Sequence, residues 1–302
     1  MFKSKNSMSR ALVRRETTAG YLFLLPSLFF FVTFVLYPMF LCLYTSFFDS
    51  NMGKNAVDVF VGLGNYKELF QDKLFLGALK NTVVIVVVAV PTVCAFSLWV
   101  ATAIYDMKPA LTSAFRCIFY LPVVTGSVAV TVVWKWMYNS RYGVFNYLFK
   151  SLGIIDQNIN WLGDARFALW CIILILFTTS VGQPIVLYVS ALGNVDHSLV
   201  EAAQVDGANR RQVFWKIKWA QIMPTTLYIL IITTINSFQC FALIQLLTSG
   251  GPTHSTDTIM YYIYYTAFKL YRYGYGNAMG VVLMIIIAVL SALQFKLGQQ
   301  SD

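Results

Sequence analysis

Apolar residues in this chain run in long unbroken blocks, with the polar residues gathered between them. Six blocks are long enough to cross a bilayer as helices, which takes about 20 residues each. They cover 21–48, 76–105, 115–138, 167–192, 217–247 and 276–297. Strand-like alternation is absent, and backbone groups in lipid must be paired within the segment, so the blocks are predicted to be helices and not barrel strands. The expected fold class is an all-α polytopic membrane protein of six transmembrane helices. Residues 1–20 form an N-terminal segment and 21–298 a single membrane domain.

Composition agrees. Of 302 residues, 58% are hydrophobic and 12% charged, and the mean hydropathy is +0.65. A soluble domain carries roughly twice that share of charge, so the solvent is largely lipid. The basic N-terminus followed by an apolar run is expected to be a first span that stays and not a cleavable leader, because the run far exceeds the roughly 7–15 residues of such a segment. Lys3, Lys5, Arg10, Arg14 and Arg15 precede the first block, which places that end in the cytoplasm. An even number of spans then puts both termini inside. The inward connections carry Lys108 and Arg116, then Arg210, Arg211, Lys216 and Lys218. With Lys296 and the five N-terminal residues these make 12 of the 22 basic residues, so orientation rests mainly on the N-terminal cluster. Pro91 and Pro184 fall inside the second and fourth blocks and are expected to kink them. The five cysteines lie in apolar stretches without metal-pair spacing, and neither His197 nor His254 has a nearby His or Cys. No metal site is expected.

The connection between the fourth and fifth blocks is the most informative stretch. Ser198 and Glu201 stand as in a capping box, predicting a helix from about Leu199 that Gly207 ends in the left-handed conformation. Asn209 with Gln212 predicts a second reciprocal cap, and a helix that runs on toward Pro224. Two short helices at about 196–216, joined by a glycine turn, make a rigid knob at the inner face. Ala202 and Ala203 allow close approach, Val200, Val205 and Val213 offer apolar contact, and Glu201, Arg210 and Arg211 offer charge. A DNA-reading helix-turn-helix uses a similar turn, but tethering to two spans argues against it.

Glu201-Ala202-Ala203 with Asp206-Gly207-Ala208, Ile222 and Pro224 resembles the EAA loop of binding-protein-dependent ABC importer permeases. Further stretches resemble the maltose-type carbohydrate branch: Tyr21 to Pro26 with Tyr37-Pro38, Phe60 to Tyr66, Ala78 to Thr82, Phe115-Arg116 with Leu121-Pro122, and Ile244 to Pro252. The resemblance implies a minimal six-span permease core in a bacterial inner membrane. It implies that Glu201, Ala202, Ala203, Asp206, Gly207 and Arg210 couple to an ATP-hydrolysing subunit. The implied partners are two such ATPases, a second homologous permease and an extracytoplasmic sugar-binding protein. ATP and magnesium would be held by the ATPases, with no cofactor in this chain. On that reading Gly207→Asp loses coupling without blocking insertion.

The chain has no Gly-x-x-x-x-Gly-Lys-Ser/Thr run, no Gly-x-Ser-x-Gly elbow and no HExxH. No catalytic residues are therefore assigned, and the chain is read as a non-enzymatic permease. Sugar recognition needs hydrogen-bonding side chains and aromatic faces inside the bundle. The fourth block offers Thr178, Gly182 and Gln183, and the fifth Asn236, Ser237 and Gln239. Asn236 and Gln239, three apart, are expected on one helical face. Gly182 suits close approach by a ligand or by another helix. No charged residue is expected at a span centre, with Lys135 and Asp106 snorkelling near the ends. That argues against an ion-coupled secondary transporter and favours a neutral sugar. The outside segment 250–276 is expected to hold an aromatic interfacial helix capped by Thr256 and Asp257. The alternative readings are a permease for another solute, such as a glycerol phosphate ester, a secondary transporter, or a membrane-embedded enzyme.

Overall fold

The computed structural model describes residues 4–50 and 58–299. Lys3 lies outside the described residues. The chain enters as one long helical rod: α1 (Ser4–Phe31), a π-helical turn (Val32–Leu36) and α2 (Tyr37–Thr45). It passes through the expected boundary at residue 20 without a break, and no residue of its apolar stretch is fully buried, although α2 packs along the last helix. A short antiparallel pair, β1 (Phe48–Asp49) with β2 (Val59–Phe60), leads into α3 (Gly64–Gln71).

The centre of the bundle is α4 (Lys73–Ile104), which runs unbroken through Pro91. Asp72 caps it, accepting the Leu74 N–H at 2.8 Å. The same carboxylate receives the hydroxyls of Tyr262 and Tyr275 at 2.7 and 2.9 Å, tying α4 to the end of the chain. Burial alone would raise the Asp72 pKa. The two tyrosine hydroxyls and the N–H groups of Leu74 and Phe75 outweigh it and hold the carboxyl below its ordinary value.

The third block is not one straight helix. It begins earlier than expected, as α5 (Pro109–Val124), and turns by 94° into α6 (Ser127–Met137). Thr125 and Gly126 are both extended there, with ψ of 127° and 140°. Two successive extended residues cannot carry a helix forward, and Pro122, which withholds an N–H, weakens its last turn. After α7 (Val144–Ser151), the fourth block is likewise a bent pair, α8 (Ala168–Ser180) and α9 (Gly182–Gly193), meeting at 40°. Pro184 lies in the first turn of α9. Its missing N–H and its ring's clash one turn back break the helix at Val181. Ser97 of α4 steadies the break by donating to the Val181 carbonyl at 3.3 Å. Each bent pair taken as one span, the described residues give the expected six.

The connection between the fourth and fifth blocks holds α10 (His197–Val205) and α11 (Arg210–Val213). The latter passes through a π-helical turn (Phe214–Lys218) into α12 (Trp219–Phe238) and α13 (Ala242–Leu247). On the other side, α14 (Ile259–Tyr264) and a π-helical turn (Tyr265–Lys269) precede the last helix, α15 (Tyr273–Gln299). The cap of α14 is Thr258, whose hydroxyl accepts the Tyr261 N–H at 3.3 Å, and not Thr256 or Asp257. Nor is α14 a surface helix: Ile259, Tyr261 and Tyr262 are buried, and it packs on α4 and α15.

The main core joins α4, α9 and α12 through Val93, Ala101, Ile185, Tyr188, Ile222 and Ile229. In lipid no water is displaced from between helices, so it is the close packing of these side chains that sets the three helices in fixed register. That register positions the two regions described next.

Candidate functional site

The knob between the fourth and fifth blocks is built much as the spacing implied, with two differences. Asp196 caps α10, two residues before Ser198, accepting the Ser198 N–H at 2.9 Å and its hydroxyl at 2.7 Å. Those hydrogen bonds lower the Asp196 pKa. Ser198 and Glu201 therefore do not form the predicted box: an Asp two residues upstream reaches the same free N–H groups first. The Asp196 N–H in turn donates to Gln221 of α12 at 3.1 Å, fixing where the knob begins.

Gly207 ends the helix at φ +84°, the left-handed region that other residues enter at a cost. The Ala208 N–H reaches back to the Ala203 carbonyl at 2.9 Å and the Gly207 N–H to Gln204 at 3.0 Å, closing the last turn. Asn209 and Gln212 exchange the predicted reciprocal bonds at 2.9 and 2.8 Å.

The second difference concerns which side chains face outward. Val213 is buried and Val200, half-buried, packs against the core, so these two face the bundle, while Ala203 is half-buried. Leu199, Glu201, Ala202, Val205 and Asp206 are exposed, Val205 at 88%. Leu199, Ala202 and Val205 recur every third residue and share the outward side with no covering neighbour. Leu199 was missed in the sequence, although its spacing from Ala202 points to it.

Behind the knob lies a polar cavity of about 560 Å³, where Asp106, His197, Arg210 and Lys218 converge. Burial raises the Asp106 pKa, and the charges of Arg210 and His197 partly offset this. Lys218 donates to the Tyr105 hydroxyl and lies 4.3 Å from the centre of that ring.

The second region is a cavity of about 160 Å³ between α5, α9 and α12. Gln183 and Asn236 both line it, beside Thr179, Ser180, Thr233 and Tyr228. Neither amide is hydrogen-bonded to another described side chain or backbone group, so both present free donors and acceptors. Tyr228 is 50% exposed and offers a ring face. The sequence reading passed over it, though Tyr228, Ile232 and Asn236 are spaced by four and so share one helical face.

Four other sequence candidates do not line this cavity. Gly182 is used for helix contact: a Cβ there would stand 2.3 Å from the Phe119 carbonyl oxygen and 2.9 Å from Val123 Cγ2. Thr178 donates to the Ile175 carbonyl of its own helix at 2.9 Å. Ser237 is buried at 2% exposure. Gln239 is exposed and is the capping residue just past the end of α12, its N–H still bonded to the Ile235 carbonyl at 3.1 Å. The chain is irregular from there to Phe241, and the Cys240 carbonyl is taken by the Thr258 hydroxyl at 2.7 Å.

A second space of about 450 Å³, lined by Arg116, Cys117, Tyr120 and Val186, shares Gln183 and Leu187 with the cavity. Arg116 was expected in a polar connection. It stands instead inside α5, because that helix starts at Pro109.

A family described as the binding-protein-dependent transport system inner membrane component matches residues 73–300 of the chain. The lactose transport system permease protein of Rhizobium radiobacter is 33% identical over 96% of this chain and 97% of its own length. The multiple sugar-binding transport system permease protein of Streptococcus mutans is 32% identical over 94% of this chain and 96% of its own. A bacterial alginate ABC transporter, solved in complex with an alginate pentasaccharide-bound periplasmic protein, has a chain of the same fold. The TM-score is 0.80 at 24% identity, covering 93% of both chains.

Proposed function

The chain belongs to the binding-protein-dependent transport system inner membrane components, and we propose that it is the permease of an ATP-driven importer for a sugar or oligosaccharide. The observation that carries the substrate class is the cavity between α5, α9 and α12, with two uncommitted amides and an exposed tyrosine ring. Amides pair with sugar hydroxyls and aromatic faces cover C–H surfaces. The lactose and multiple-sugar relatives support the same class.

In this reading the chain sits in a bacterial inner membrane with both termini in the cytoplasm. It pairs with a second permease and receives solute from an external binding protein. ATP, with magnesium, is bound and hydrolysed by two separate subunits, and α10 docks on one of them through Leu199, Ala202 and Val205. Glu201, Asp206 and Arg210 set the register, and Gly207 holds the turn. Closure of the ATPases moves α10, which is tied to α12 through Gln221 and through the continuous α11–α12 path. Because α12 carries Asn236, motion at the knob reaches the cavity wall. Nucleotide then biases outward- against inward-facing populations.

The test is a mild-detergent pull-down of tagged chain from its native membrane, followed by uptake assays. A P-loop ATPase and a second permease are expected to co-purify. Gln183→Ala and Asn236→Ala should each lower sugar uptake at unchanged expression and assembly. Recovery of the chain alone would sink the importer reading, and normal uptake by the double variant would sink the cavity assignment.

A further inference from the structure

We propose that the polar cavity behind the knob is a ligand site of its own, in which Lys218 and Arg210 hold the phosphate of a hydroxylated phosphate ester and Asp106 and Gln204 take its hydroxyls. It shares no lining residue with the cavity between α5, α9 and α12, nor with the space beside that cavity. On the permease reading above, which supplies only the side of the membrane, it opens to the cytoplasm.

Four parts of the chain frame it. The residues just past α4 supply Tyr105 and Asp106, α10 supplies His197 and Gln204, α11 supplies Arg210, and the π-helical turn before α12 supplies Lys218. Buried Leu192, Val195 and Val213 make an apolar wall. Val200 and Val213 line the cavity and face the bundle, so the space lies on the bundle side of α10. A protein seated on Leu199, Ala202 and Val205 does not fill it.

The charges in this space are left unmatched. Arg210 and Lys218 are two fixed cations against one carboxylate, and none of the ion pairs among the described residues includes any of the three. Arg210 and His197 act on Asp106 through space without forming an ion pair with it. Lys218 donates instead to the uncharged Tyr105 hydroxyl and lies over that ring. Phosphate oxygens accept from an ammonium and a guanidinium at once, and so bridge such a gap. At about 560 Å³ the cavity is larger than a bare phosphate fills and lies within the roughly 300–1,000 Å³ of small-molecule sites, which leaves room for a hydroxylated skeleton. Asp106 accepts hydroxyls and repels an anion that brings none. Two sources carry this chemistry: a soluble sugar phosphate, and the glycerol phosphate headgroup of phosphatidylglycerol.

The test uses the purified full chain in phosphatidylcholine nanodiscs, with the melting temperature followed against glucose 6-phosphate, glucose and inorganic phosphate. For a soluble ligand, glucose 6-phosphate should raise the melt saturably, with much smaller shifts from the other two. Lys218→Gln should raise the half-saturating concentration roughly ten-fold or more, and Lys218→Arg should restore it. Asp106→Asn should narrow the preference for the ester over inorganic phosphate. For a lipid ligand, glucose 6-phosphate gives no shift, and native mass spectrometry from phosphatidylglycerol nanodiscs shows one such lipid retained per chain and lost in Lys218→Gln. A Lys218→Gln variant that melts lower at an unmoved half-saturation would make Lys218 structural and overturn the site. So would equal shifts from inorganic phosphate and the ester, or the absence of both an ester shift and a Lys218-dependent lipid. None of these results touches the permease reading, which fails separately, on the pull-down.

Discussion

Replacing Gly207 by valine should uncouple the knob between the fourth and fifth spans while leaving the bundle intact. Gly207 sits at φ +84°, and a Cβ built there meets nothing within 4 Å. The cost is therefore backbone strain alone, without a packing clash. For an L-residue in the left-handed region it is about 1–2 kcal/mol, a factor of roughly 5–30 in the population of the closed turn. What opens are the bonds from Ala208 to Ala203 and from Gly207 to Gln204. The last turn of α10 then frays, and Val205 and Asp206 lose their place. The capping box at Asn209 and the core seam at Ile222 and Ile229 are separate and should persist. Gly207→Asn is the control, because asparagine tolerates this conformation.

The assay compares expression, detergent thermal stability, ATPase co-purification and uptake for the three proteins. The valine variant should express and melt normally but retain several-fold less ATPase and transport less, whereas asparagine stays close to the unmodified chain. Normal uptake by Gly207→Val at normal expression would refute the reasoning.

Gly182→Ala should be destabilising for the opposite reason, since its Cβ would stand 2.3 Å from a carbonyl oxygen. Pushing α5 off α9 should cost about 1–3 kcal/mol, read as a lower melting temperature in detergent; an unchanged melt would show that the two helices yield freely. Asp72, whose pKa is lowered by the tyrosine and backbone bonds, stabilises the fold fully above its ordinary value of 3.8, and that contribution is lost as pH falls through the still lower folded value. The unmodified chain should therefore out-melt Asp72→Asn at pH 7, with the gap closing in strong acid; a gap independent of pH would assign the effect to shape and not to charge.

Long apolar blocks, with no water to satisfy backbone groups, left helices as the available answer, so the count of six spans was legible without coordinates. So was the turn at Gly207 and the box at Asn209 and Gln212, because caps and glycine turns are settled by residues a few places apart. The knob's outward face was only partly legible, since a nine-residue helix shows its period but not which side the bundle covers; Val200 and Val213 were misassigned for that reason.

Breaks inside apolar blocks were the hardest to see. Thr125 and Gly126 are unremarkable in a hydrophobic run, yet their extended backbone turns the chain by 94°. Gln239, at the end of α12, does not line the cavity that Asn236 lines. Side-chain chemistry marks candidates, but only the packing of α5, α9 and α12 decides which of them reach a common space. Packing brought Gln183, Asn236 and Tyr228 together, committed Gly182 to helix contact, and turned Arg116, from an expected polar connection, onto the wall of the cavity.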